Sequence, residues 1–239
     1  MEIREFKEKL IQNAKMIDVE LNEAQIEKLY KYMNLLIEWN QKMNLTSIVD
    51  PEEIIVKHFV DSLTIQKYIE KNASVLDVGT GAGFPGIPLK IVREDIKVTL
   101  LDSLNKRIIF LDEVIDILEL KEVFAIHGRA EEMGRNKEYR ERYNTVVSRA
   151  VASLSALLEY MSPFVRVGGK LICMKGPKLV EELEESGNAI KTLGLEVEKT
   201  EEIVLPNTDM QRNVLTVRKA SSTVEKYPRC GTNIRKSPL

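Results

Sequence analysis

Val75-Leu76-Asp77-Val78-Gly79-Thr80-Gly81-Ala82-Gly83-Phe84-Pro85-Gly86 is the stretch that decides the fold of this chain. It opens as an apolar run suited to a buried strand and carries an acid near its end. Three glycines follow at alternate positions, then a proline suited to the first position of a helix. A strand that turns sharply into a helix leaves backbone N–H groups exposed at the helix N-terminus. Glycine permits positive φ there and lets a ligand approach without meeting a Cβ. Asp77, Gly79, Gly81, Gly83 and Phe84 are therefore candidate ligand-binding residues.

Two ligand classes suit such a turn. The pattern D-x-G-x-G-x-G resembles the first motif of the Rossmann-like S-adenosylmethionine (AdoMet) methyltransferases. Gly81, Gly83 and Gly86 also satisfy G-x-G-x-x-G, with Asp102 near the ~20-residue spacing of a ribose-binding acid. Two details favour AdoMet. A carboxylate at Asp77 could meet the ammonium of a methionine moiety but would repel a pyrophosphate. Pro85 at N1 also starts the helix past the glycines, too late for its first turn to hold a pyrophosphate.

The 239 residues leave room for one large domain with an appendage, and 44% hydrophobic with 30% charged residues is ordinary for a globular chain. No apolar run approaches the ~20 residues of a membrane span, and Met1-Glu2-Ile3-Arg4-Glu5 lacks a signal-peptide core. Cys173 and Cys230 alone cannot build a disulfide framework or a thiol zinc site. A cytoplasmic location without metal is expected. The net charge of −2 hides an asymmetry: after residue 218, Lys219, Lys226, Arg229, Arg235 and Lys236 face only Glu225. A basic tail on an acidic body suggests a local anionic partner.

Residues 1–72 read as a helical extension. Asn22 and Gln25 form a capping box, and Ile26, Leu29, Tyr30, Met33, Leu36 and Ile37 make one apolar stripe. Asp50-Pro51-Glu52-Glu53 starts another helix that runs through His58, Phe59 and Leu63. From residue 73 the pattern alternates. Strands at 75–78, 98–101, 123–126, 145–148 and 170–174 are separated by helices at 87–92, 104–118, 154–161 and 179–193. That rhythm predicts a doubly wound α/β sheet. Two more strands, 195–205 and 214–218, have no helix between them and predict a closing antiparallel pair. The whole is a Rossmann-like, seven-stranded, mostly parallel core over 73–219, followed by a basic tail over 220–239.

Ligands in such sheets bind beyond the carboxyl ends of the strands. The second strand ends in Asp102-Ser103, where a carboxylate can accept both ribose hydroxyls or N-cap the next helix. The third ends in Gly128-Arg129-Ala130-Glu131, able to read an adenine edge. The fourth ends in Ser148-Arg149-Ala150; an arginine there could hold the cofactor carboxylate or a substrate phosphate. The fifth ends in Lys175-Gly176-Pro177. Cys173 and His127 read as structural, and Cys230 as an incidental exposed thiol. No N/D-P-P-Y/F follows the fourth strand, and no nucleophilic cysteine is positioned for pyrimidine methylation. A ring nitrogen with a free lone pair would need no base, only positioning.

Several further stretches, taken together, resemble the RsmG/GidB family: Asn44-Leu45-Thr46, His58-Phe59-Val60-Asp61-Ser62-Leu63, the Asp77 to Pro88 motif with Gly83-Phe84-Pro85-Gly86, Ser148-Arg149-Ala150-Val151-Ala152, Gly168-Gly169-Lys170, Lys175-Gly176, and the ending Lys226-Tyr227-Pro228-Arg229 with Lys236-Ser237-Pro238-Leu239. The resemblance implies AdoMet-dependent methylation of N7 of one guanine in the decoding-centre loop of bacterial 16S rRNA; the partner is then 16S rRNA in the small subunit or its precursor, and nothing in the sequence demands more than a monomer. It places Gly79 and Phe84 at AdoMet, Ala130 and Glu131 at the adenine, and Arg149 where cofactor meets substrate. His58, Asp61, Lys175 and Arg212 fall on the RNA side, as do Lys226 and Arg229 of the tail. A small-molecule methyltransferase and a non-catalytic ribosome-binding protein are the alternative readings, and a nicotinamide-dependent oxidoreductase is a more distant one.

Overall fold

A computed structural model describes residues 1–149 and 152–239; Ala150 and Val151 lie outside the described residues. Seven strands form one sheet: β1 (Ser74–Val78), β2 (Lys97–Asp102), β3 (Val123–His127), β4 (Tyr143–Arg149), β5 (Val165–Lys175), β6 (Leu195–Val204) and β7 (Gln211–Lys219). Their order is β3-β2-β1-β4-β5-β7-β6. The first five run parallel, while β7 is antiparallel to both β5 and β6. Strand order reverses between β1 and β4, and a ligand crevice is expected beyond the carboxyl ends of those two strands.

The central strands are apolar on both faces because helices cover both. On one face α1 (Ile3–Lys15), α2 (Glu23–Met43), α5 (Gly86–Val92) and α6 (Asn105–Ile117) pack in a single cluster. Phe6, Tyr32, Phe59, Ile87 and Phe110 meet Val75 and Val98 of the sheet there. The helical extension thus shares one core with the strands. On the other face α8 (Leu154–Met161), α9 (Leu179–Glu185) and α10 (Gly187–Thr192) cover Leu76, Val146 and Leu171.

The expected helix signals are present with three differences. Asn22 and Gln25 close the capping box on α2, and Asp50 Oδ1 accepts from the Glu52 and Glu53 N–H groups, both at 3.0 Å. The helix that follows Asp50 is not uniform, however. It runs as α3 (Pro51–Ile54), a π-helical turn (Ile55–Val60) and α4 (Asp61–Leu63), and His58 sits in the widened turn, a feature common at functional sites. The helix expected over 179–193 is broken at Ser186. Its buried hydroxyl bonds the Glu182 carbonyl (2.6 Å) and Ser155 (3.0 Å), and Gly187 begins the next helix. Finally, Pro85 is the N-cap of α5 and not its N1 residue. N1 is Gly86, whose N–H donates to Asp77 Oδ2 at 2.8 Å, a bond that a proline at N1 could not make.

Candidate cofactor and substrate cleft

A cleft of about 560 Å³ opens at the switch point. Its floor is the loop that leaves β1. Gly79 (φ 70°) and Gly81 (φ 64°) are both left-handed, and a Cβ on Gly81 would meet nothing within 4 Å. The loop is held open by two carboxylates. Asp77 is fully buried; its Oδ2 accepts from the Thr80 hydroxyl (2.7 Å) and from Gly86 N–H. Asp102 Oδ2 accepts from Gly81 N–H (2.9 Å) and Arg107 (3.0 Å), while its Oδ1 takes the Leu104 N–H (2.9 Å).

These contacts bear on two of the expected cofactor residues. Asp77 does not line the cleft. It sits under the loop and ties the end of β1 to the first N–H of α5, where a negative charge also suits the helix dipole. Gly83 does not line the cleft either. It has φ 100°, and a Cβ there would stand 2.6 Å from the Tyr32 hydroxyl and 2.7 Å from Ile87 Cγ1. Its job is close packing of the loop on α2. Asp102 does line the cleft, but both of its oxygens already hold the protein.

Gly79, Gly81, Phe84, Asp102, Ser103, Ala130, Glu131 and Arg149 all border the one cleft. His58 borders it as well, although the sequence placed it on the RNA side only through a family likeness. The lip is built around Phe84. The His58 ring stacks on it at 4.3 Å and 14°, Tyr32 stacks at 5.4 Å, and the Arg149 guanidinium lies 5.1 Å from the ring centroid. Arg149 Nη1 donates to the Lys57 carbonyl (3.0 Å) and to Asp61 Oδ2 (3.1 Å), and Nη2 donates to His58 Nδ1 (3.1 Å). A guanidinium can only donate, so Nδ1 is the acceptor and His58 carries its proton on Nε2. That proton goes to Thr46 Oγ1 at 3.0 Å. Asp61, 1% exposed, also faces Arg212 Nε at 3.4 Å. The helical extension therefore sets the rotamer of the arginine at the end of β4.

Burial, and then the Arg149 cation, push the His58 imidazole down to about 3. The folded chain keeps His58 neutral where an unfolded histidine is protonated, so its contribution to stability is present above pH 6.5 and is lost as pH falls towards about 3. Asp77 acts in the opposite direction. Burial raises it to about 6, so the folded state takes up this proton first and stability rises as pH falls through that value. His58→Asn isolates the first effect, since Asp77 is common to both proteins. Between pH 6 and 4 the variant is expected to lose stability less steeply than the parent, by about 1.4 kcal/mol per pH unit. Urea unfolding at several pH values checks this, and parallel curves would refute it.

The cations assigned to the RNA side are less available than their sequence suggests. Lys175 is 7% exposed, donates to the Ala152 carbonyl (2.6 Å) and pairs with Glu182 (2.7 Å). Arg229 grips the fully buried Glu159 carboxylate, with Nη2 2.6 Å from Oε2. Lys219, counted with the tail, is buried in β7 against Glu141 (2.7 Å) and the Ser162 carbonyl (2.8 Å). A lysine or arginine with a buried acid far along the chain looks, in sequence, like any other cation. Lys226 is exposed. Cys173 is buried with its thiol pushed up to about 12, and Cys230 is exposed. The sequence also missed Arg107, Tyr160 and Arg235, which border the cleft. Among the described residues no His, Cys, Asp or Glu group is placed to hold a metal ion, and no helix is long and apolar enough to cross a membrane.

A glycine loop at the switch point of a sheet closed by an antiparallel β6–β7 pair defines the Rossmann-like class I methyltransferase fold. Solved structures agree on the fold: a SAM dependent methyltransferase from Aquifex aeolicus (TM-score 0.56, 19% identity, 73% of this chain and 97% of that one) and M. jannaschii TYW2 in complex with AdoMet (TM-score 0.51, 17% identity, 66% and 76%). The family is more specific. The GidB model, rRNA small subunit methyltransferase G, matches residues 25–214. Proteins named ribosomal RNA small subunit methyltransferase G are 48% identical in Alkaliphilus oremlandii (98% of this chain, 99% of that one) and 52% identical in Acetivibrio thermocellus (96% and 95%). This chain belongs to the GidB family of rRNA small subunit methyltransferases.

Proposed function

We propose that the chain transfers a methyl group from AdoMet to N7 of one guanine in the decoding-centre loop of 16S rRNA, working as a cytoplasmic monomer on the small subunit or its precursor. The observation that carries this reading is the Arg149–His58–Phe84 lip beside an open glycine floor, in a chain of this family.

The cleft fits the cofactor. A volume of about 560 Å³ is in the range for a ligand of that size. Gly79, Gly81, Asp102, Ser103, Ala130 and Glu131 all line the cleft; on this reading the two glycines would admit the methionine moiety, Asp102 and Ser103 would hold the ribose, and Ala130 and Glu131 would border the adenine. When bound, AdoMet supplies a methyl group on a positively charged sulfur, which a neutral ring-nitrogen lone pair can take by in-line displacement.

N7 of guanine carries no proton, so the protein needs no base there. The lip supplies none. His58 is neutral, but its Nδ1 is occupied by Arg149 and its Nε2–H by Thr46; Asp61 is buried and ion-paired. What the residues offer is orientation. A base unstacked from its loop would enter at the edge of the nearly buried Phe84–His58 stack. Arg149 presents a fixed guanidinium, a group suited to the O6 acceptor of guanine or to a phosphate, which leaves the N7 lone pair free to attack. Positioning of this kind can supply ~7–11 kcal/mol of the barrier.

The test is transfer of labelled methyl from AdoMet to small ribosomal subunits lacking this modification, with the labelled nucleoside identified. Label in 7-methylguanosine is the expected result. Label in another nucleoside would keep donor and fold but overturn the acceptor, and no label on subunits or their precursors would overturn the reading.

A further inference from the structure

The C-terminal segment is anchored at several points along its length. Arg140 donates to the carbonyls of Thr223 (2.7 Å) and Tyr227 (2.9 Å), and Arg135 to that of Pro228 (2.6 Å). Tyr227 is buried in the same cluster as Leu157 and Phe164. Arg229 is bidentate on Glu159 of α8, and its own N–H donates to the same carboxylate at 2.8 Å. These anchors lead into a short helix, α11 (Gly231–Lys236). Its Ile234 is fully buried against Ala156 and Tyr160, with Ala130 alongside. Gly231 packs directly against the Glu131 carboxylate, which a Cβ there would displace. Arg235 reaches the cleft, where Tyr160, Ala130 and Glu131 are its fellow lining residues.

A segment with this many fixed points is not an arm waiting for RNA. Arg229 closes over a fully buried carboxylate, and releasing it would leave the Glu159 charge uncompensated. Of the residues the segment touches, Ala130, Glu131 and Tyr160 border the side of the cleft assigned above to the adenine. We infer that residues 227–236 form a built-in wall of the cofactor cleft, that their seating sets AdoMet affinity, and that Arg235 is a cofactor-side residue. The inference rests on the AdoMet reading of the cleft and adds to it a binding element outside the seven-stranded core.

The experiment is AdoMet titration by calorimetry with no RNA present. Ile234→Asp puts a charge into the seat of α11 at the end of the chain, remote from the sheet. Its Kd for AdoMet is expected to rise about tenfold or more, while Ile234→Val stays near the parent. Arg235→Ala, which removes an exposed side chain and no packing, is expected to raise Kd about threefold or more, with an unchanged melting temperature. Linkage makes the effect reciprocal, so AdoMet should slow tryptic cleavage after Lys226 and Arg229 in the parent. In methyl transfer, KM for AdoMet rises and kcat at saturation holds. Parent-like AdoMet affinity in both Ile234→Asp and Arg235→Ala, with only the KM for RNA raised, would overturn the inference and return the tail to RNA binding. Failure of the parent itself to bind AdoMet would overturn the reading of the cleft and this inference with it.

Discussion

Arg149→Ala is expected to lower kcat/KM for methyl transfer about a hundredfold or more, since it removes the one guanidinium fixed at the lip. The substitution has a second consequence. Asp61 would be left buried with only Arg212 at 3.4 Å, and a buried carboxylate stripped of its partner destabilises a fold by about 3–5 kcal/mol. Loss of activity alone would therefore be ambiguous. The double variant Arg149→Ala/Asp61→Asn removes the orphaned charge. It is expected to recover most of the lost stability, read from urea unfolding, and none of the lost turnover. Recovery of activity with stability would show that Arg149 only holds the helical extension to β4. Arg149→Lys is also expected to fail in catalysis. A single ammonium can meet Asp61, but it cannot also donate to His58 and the Lys57 carbonyl while lying over the Phe84 ring.

Gly79→Val is expected to lower AdoMet affinity about a hundredfold or more. Gly79 borders the cleft with φ 70°. A branched side chain would fill the space assigned to the methionine moiety, and a left-handed backbone costs a non-glycine residue about 1–2 kcal/mol. That strain should lower Tm by roughly 2–8 °C without unfolding the protein. Gly79→Ala separates the two effects, because it shares most of the backbone penalty but occupies far less of the cleft. Calorimetry and thermal unfolding on both variants decide the matter. If Val and Ala lose the same affinity, loop strain and not occlusion controls binding; if Val binds as the parent does, the methionine moiety does not pass Gly79.

The β-strands were legible because a strand covered on both faces must be apolar almost throughout, as Val75 to Val78 and Val98 to Leu101 are. The change of rhythm after Leu193, two strand patterns with no helix between them, announced the antiparallel closing pair. Caps were legible where a side chain answers a backbone group within three residues, as at Asn22 and Asp50. The glycine loop marked its own function, since alternate glycines are costly in a chain without a use for positive φ.

What stayed hidden involves partners distant in sequence. Asp77 and Arg149 both looked like ligand contacts, each being a charge at a strand end. Only the fold shows that Asp77 turns inward to hold Gly86 while Arg149 turns outward, pinned by His58 and Asp61 some ninety residues earlier. Tyr32 read as part of no site, yet it stacks under Phe84 and bonds the Ala82 carbonyl. The tail read as basic and turned towards an anionic partner, yet Lys219 meets Glu141 and Arg229 meets the buried Glu159 within the protein. By itself the sequence determined the order of the elements, the position of the switch point and the chemistry of the loop, because those depend on residue type and spacing over a few positions. The tertiary structure alone decided which charges are neutralised, which way each strand-end side chain points and that the C-terminus borders the cleft. Those outcomes depend on which distant residue arrives opposite, and burial makes each unpaired charge too costly to leave alone.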